Sequence, residues 1–164
     1  MINQQDAQVV VNVWKLARSV RIAMLVLHDG ESMSARPMES LIPEGEEAVW
    51  FITNRNSLKV SEAIEDFDAL LTYSTGEKGE HLAMNGILSV VDDREQLKAL
   101  WNRGADLYFP KGPDDPSAIL LRFEPTRGEF WTHDSGVVRL PFQYAKAKLT
   151  GIPAKLGDHG QVAM

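Results

Sequence analysis

The dipeptide Asp29-Gly30 stands between two β-prone runs and obliges the chain to turn back on itself. Residues 22–27 are continuously apolar and residues 32–40 alternate, and an Asp-Gly pair between such runs favours a tight hairpin whose strands are antiparallel. Residues 48–53, 69–73, 81–91, 118–124 and 127–133 read as further strands. Turn signals at 74–80 and Pro125-Thr126 join some of them, and few of the helical crossovers that parallel pairs require are present. The expectation is a mainly β, α+β chain: an antiparallel barrel with peripheral helices.

The helices are few and short. Val9, Val13, Leu16, Ala17 and Val20 recur at helical spacing, predicting an amphipathic helix over 4–20. Asp92 or Asp93 caps another, with Leu97, Leu100 and Trp101 as its apolar positions. Ser57 caps a third, with Val60, Ala63 and Ile64 inward, running to about Asp66. A last helix is suggested by Phe142, Tyr144, Ala145 and Leu149. The segment 108–116 carries three prolines and is expected to lack regular structure. Pro37 cannot donate to a sheet ladder, so it suggests an interrupted pairing, although an ordinary edge strand is the commoner explanation. Gly86, in mid-strand, predicts a bulge or a close backbone approach.

Length and composition set limits. The 164 residues, 44% apolar, suffice for one domain spanning 1–164, with the polar tail from about 150 expected to be disordered. A net charge of −6 with no long basic tract argues against nucleic acid and anionic membrane surfaces as partners. Without cysteine there are no disulfides, thiolate metal sites or cysteine nucleophiles. His28, His81, His133 and His159 show no metal-ligand spacing. Neither a leader-like start nor a long apolar span is visible, so a cytoplasmic location is the default expectation.

The chemistry-bearing stretch is 48–60, where an apolar strand breaks at Thr53-Asn54 and restarts as a helix at Ser57. A helix start exposes unpaired N–H groups and favours acids, yet here Arg55 and Lys59 flank it. Hydroxyls at Thr53 and Ser57, free amides and two cations suit a phosphate. The same residues also suit an ordinary solvated turn with a serine cap. Trp101, Tyr108 and Phe109 lie beside irregular chain, where a flat ligand is readily covered. No phosphate loop, dinucleotide fingerprint or nucleophile elbow is present.

Taken in order, Val13-Trp14-Lys15-Leu16, Ser34-Ala35-Arg36-Pro37-Met38, Trp50-Phe51-Ile52-Thr53 with Ser57 and Lys59, Val90-Val91-Asp92-Asp93-Arg94, Phe109-Pro110-Lys111-Gly112-Pro113-Asp114-Asp115-Pro116 and Glu129-Phe130-Trp131 resemble the pyridoxamine-phosphate-oxidase-like flavin binders, and within them the general stress protein branch. The resemblance spans nearly the whole chain. It implies a split β-barrel that binds FMN, or the larger FAD, at the interface of a homodimer and acts as an oxidoreductase. Under it Arg36, Ser57 and Lys59 hold the phosphate, Ile52 and Thr53 meet the ribityl chain and ring edge, and backbone at Pro37 and Met38 faces the ring. Trp101, Tyr108, Phe109 or Trp131 would close the site from the second chain. The match departs from the oxidases at Leu58 and Leu41, where they carry basic residues, and at Arg139-Leu140-Pro141, which lacks their histidine. The implied function is therefore flavin binding with redox turnover rather than pyridoxine-phosphate oxidation, with flavin buffering or a flavin-free interaction module as the other readings.

Overall fold

A long antiparallel ladder carries the molecule. The computed structural model describes residues 4–28, 31–56, 67–76, 79–132 and 158–164. Helix α1 (Gln4–Ser19) is followed by β1 (Ile22–His28), β2 (Met33–Glu39), β3 (Val49–Asn54), β4 (Phe67–Thr75) and β5 (Glu80–Val91). Two short helices, α2 (Arg94–Leu100) and α3 (Arg103–Asp106), lead through a 3-10 turn (Gly112–Asp114) to β6 (Ala118–Thr132) and β7 (Asp158–Ala163). Every pairing is antiparallel and the order across the sheet is β2-β1-β4-β5-β6-β3. The seven strands curl into the expected split barrel. Ser57, Lys59, the helix predicted to follow them, and the one suggested by Phe142, Tyr144, Ala145 and Leu149 lie outside the described residues.

The structure departs from the sequence reading in four places. The β1–β2 register runs unbroken from Ile22↔Glu39 to His28↔Met33, so Pro37 interrupts nothing. It sits in the edge strand, the other reading the proline allowed, where only one side of the ladder is in use and a missing donor is tolerated. The two strands expected at 118–124 and 127–133 are one, β6. Asn85 pairs with Arg127 and Gly86 with Pro125, so Thr126 is the extra residue of a bulge that absorbs the proline. Gly86 is required there, because a Cβ would lie 2.3 Å from the Glu124 carbonyl oxygen and 2.6 Å from the Phe123 ring. The tail is not disordered over its last residues: β7 pairs with Arg127–Thr132 of β6. This edge of β6 is open because β3 occupies only Ala118–Phe123. The segment after α2, finally, holds the unforeseen α3 and a 3-10 turn.

Two apolar clusters result. The larger fills the barrel with Leu25, Phe51, Leu71, Tyr73, Met84 and Phe123, closed from outside by Val13, Trp14 and Ala17 of α1. Burying each large side chain contributes about 1.5–3 kcal/mol. Tyr73 keeps its hydroxyl within 3.0 Å of the Ser40 hydroxyl, and burial pushes its pKa up to about 12. The smaller cluster gathers Trp50, Leu97, Ala105, Phe109 and Leu120 under α2 and α3. Asp93 caps α2, its Oδ1 accepting from the backbone N–H of Glu95 at 2.9 Å and Gln96 at 3.0 Å. Asn102 caps α3 by accepting from Ala105 N–H at 3.0 Å. The chain entering β6 is held by Asp115, whose carboxylate accepts from the Ser117 N–H at 3.0 Å and hydroxyl at 2.7 Å, and by Arg94, which donates to the Asp115 carbonyl at 2.9 Å. Those Ser117 bonds hold the Asp115 carboxyl below its usual pKa. Among the described residues no helix is long and apolar enough to cross a membrane, and no group of acids and histidines is placed to hold a metal ion.

Candidate functional site

The barrel fails to close in one place. Just past the end of β2, Leu41 N–H donates to the Trp50 carbonyl at 2.9 Å and Trp50 N–H donates back to Leu41 at 2.8 Å. Extending that antiparallel register would set Glu39 opposite Ile52 and Pro37 opposite Asn54, but among the described residues this bridge stands alone and β2 and β3 are opposite ends of the sheet path. The two edges therefore splay from the bridge like the arms of a V.

Between the arms lies a groove of about 730 Å³, within the size range of pockets that bury a drug-sized ligand. One wall is Pro37, Met38 and Glu39; the other is Ile52, Thr53 and Asn54; Leu41 lies at the apex. The segment from Asn102 to Phe109 forms the remaining side. Phe109 is buried in the smaller core cluster and presents its ring to the groove from within its own chain. Tyr108 is 79% exposed at the mouth, beside the equally bare Leu107, with Ile22 also exposed on the lining.

Of the residues singled out in the sequence, the structure therefore brings together Pro37, Met38, Ile52, Thr53, Tyr108 and Phe109. Arg36 is half-buried on β2, on the same side as Met38, next to the groove but not in its lining. Trp101 stands one layer back: its ring tilts at 59° on Phe109 with centroids 5.8 Å apart, and its Nε1 donates to Asp106 at 2.8 Å. Trp131 is remote in its own chain, opposite His81 and His159 at the far end of β6. Twelve residues separate it from Ile119, the partner of Thr53, which is roughly 40 Å of strand. Arg55, counted among the cations of the turn, is ion-paired with Asp92 at 2.6 Å.

Sequence reasoning missed Glu39, Asn102, Gly104 and Leu107. The Asn102-Arg103-Gly104 run carried a usable signal, since asparagine is a strong helix cap. Glu39 carried none, because its place at the split depends on long-range topology.

A family model described as pyridoxamine 5'-phosphate oxidase like matches residues 8–154. The chain belongs to that family. Among solved structures, a candidate general stress protein 26 from Jannaschia sp. CCS1 is 30% identical with a TM-score of 0.77, over 96% of this chain and 99% of its own. The general stress FMN/FAD binding protein of Xanthomonas citri is 24% identical with a TM-score of 0.71, over 79% and 92%. A protein from Clostridium acetobutylicum related to general stress protein 26 of the pyridoxinephosphate oxidase family is 23% identical with a TM-score of 0.64, over 79% and 92%. No curated protein matches the chain. For this member of the pyridoxamine 5'-phosphate oxidase-like family, the groove at the split is the place where residues of β2, β3 and the α3 segment converge.

Proposed function

We propose that the groove holds a flavin, FMN in preference to FAD, and that the protein works as a homodimeric flavin-dependent oxidoreductase. The observation that carries this is the lining itself. A planar, largely apolar ring system needs two facing walls and a few fixed polar groups, and Pro37, Met38, Ile52 and Phe109 with the Thr53 hydroxyl and the Asn54 and Asn102 amides offer that combination. The Xanthomonas citri relative, described as an FMN/FAD binding protein, supports the reading.

When bound, the flavin would accept and return electron pairs. The chain's own part is position and exclusion. Arg36 on β2, with Ser57 and Lys59 after β3, would hold the phosphate at the open end of the V. Met38 and Ile52 would keep water from the ring, and Leu41, an alkyl group at the apex, adds no charge there. The exposed Ile22, Met24 and Met33 on the outer hairpin, with Leu107 and Tyr108 at the groove mouth, support a second copy covering this side. Trp131, remote in its own chain, would be among the residues that copy brings.

The deciding experiment is an absorption spectrum of the purified protein followed by titration with FMN and with riboflavin. FMN should give a bound flavin spectrum. Its phosphate should strengthen binding at least about tenfold over riboflavin, because charge-assisted hydrogen bonds contribute roughly 1.5–3 kcal/mol. A protein that is colourless once free FMN has been removed, and whose addition leaves the FMN spectrum unchanged, would sink the proposal. Reduction of the bound flavin by NADH or NADPH, with reoxidation by an acceptor, separates turnover from flavin buffering.

A further inference from the structure

Glu39 is the one charged residue in the groove's lining among the described residues. It stands near the apex, three residues along β2 from Arg36, or about 10 Å of strand. Its carboxylate is built into the wall. One oxygen takes an ion pair from Arg21, and the other lies where a side chain on residue 104 would be, 2.7 Å from an ideal Cβ on Gly104. The same Cβ would be 3.0 Å from Asn102 Oδ1. Glycine at 104 thus makes room for the carboxylate against α3. The Arg21 side chain is 76% exposed and lies outside the groove lining, whereas Glu39 is 28% exposed and within it, so the carboxylate is the charged group that the groove presents to a ligand.

We infer that Glu39 sets the charge preference of the groove: its apex takes a ligand bearing a cationic or hydrogen-bond-donating head, such as an amine, amidine or carboxamide, and rejects carboxylates and phosphates. This deepens the flavin reading, since it names the class of co-substrate that the flavin would meet, and it rests on that reading for its role in turnover. It also places any phosphate at the other end of the V, beside Arg36.

Calorimetric titration with benzamidine and with benzoate, flat probes of similar size and opposite charge, tests it. On the flavin-free protein, benzamidine should bind at least about tenfold more tightly than benzoate, the order expected for a partly buried charge contact. Glu39→Gln should bring the ratio below about threefold, and Arg21→Ala should widen it. Equal affinities, tighter benzoate, a ratio that Glu39→Gln leaves unchanged, or no benzamidine binding up to about 10 mM would overturn the assignment. With FMN present benzamidine should still bind with the same preference over benzoate, and a probe that instead displaces FMN would overturn the co-substrate role. Failure of FMN to bind would refute the flavin reading while leaving the flavin-free titration to judge Glu39.

Discussion

Two regions of one sheet behave in opposite ways. Along β4, β5 and β6 each strand has a neighbour on both sides, and the inward side chains Leu71, Met84 and Phe123 are fully buried. Across the split between β2 and β3, a single bridge at Leu41 and Trp50 is all the pairing there is among the described residues, and the space beyond it is a groove. Both regions contribute apolar side chains, although β2 also carries Ser34, Arg36 and Glu39. What separates them is closure: the ladder consumes its backbone groups and side chains in cohesion, whereas the split leaves a groove between two strand edges. The site is a place where a barrel wall was not finished, with β2 backed by β1 on one side of it and β3 backed by β6 on the other.

The largest effects should therefore come from the finished wall. Phe123→Ala removes a fully buried ring from the barrel interior, and the cost should be about 3–5 kcal/mol. Chemical denaturation would show this as a large drop in midpoint. A loss below about 1 kcal/mol would mean that the interior repacks freely and is no firmer than the split.

The next effect is alkaline. Tyr73 has a pKa raised to about 12 by burial, so the unfolded chain ionises first, near pH 10. Its contribution is fully present below that value and is lost as pH rises toward 12. A rise of about two units corresponds to roughly 2–3 kcal/mol. Stability measured at pH 9 and pH 11.5 should fall by that much more in the native protein than in Tyr73→Phe, because phenylalanine has nothing to ionise. Equal slopes would place the Tyr73 hydroxyl in contact with water.

The same contrast explains what could be read in advance. Strand positions were legible because alternation and turn residues are local: Asp29-Gly30 marked the hairpin and Gly86 its close approach. The unity of β6 was not, since Pro125 looks like a terminator until the bulge opposite Gly86 absorbs it. The edge role of β2 was signalled by Pro37, which an edge strand accommodates, and the sheet order bears it out. At the site, Pro37, Met38, Ile52 and Thr53 could be named through the resemblance to the flavin-binding family, while Glu39 and Gly104 could not. Their contact joins a strand to a four-residue helix more than sixty positions later. Phe109, one of four aromatics that the resemblance offered for closing the site from a second chain, lines the groove in its own.

A smaller effect sharpens the role of the open end. Lys59→Ala should weaken FMN by about tenfold, or roughly 1.4 kcal/mol, and leave riboflavin nearly unchanged. Equal losses for the two ligands would show that the residue supports the turn rather than the phosphate.

The smallest stability effect belongs to Tyr108, and it is the most discriminating for the split. Its side chain is 79% exposed at the groove mouth and lies outside both core clusters. Truncation to alanine should change unfolding stability by no more than about 0.5 kcal/mol, as for other exposed positions. Binding is a separate matter. If a second copy covers the mouth, the ring is buried in the dimer, and Tyr108→Ala should lower both dimer affinity and flavin affinity while the barrel stays intact. Sedimentation and FMN titration over a dilution series read both quantities. Flavin affinity that falls on dilution in step with dissociation would assign the mouth to the interface. A variant that binds FMN as the native protein does, at every concentration, would show that each chain finishes its own groove and that Tyr108 faces only solvent.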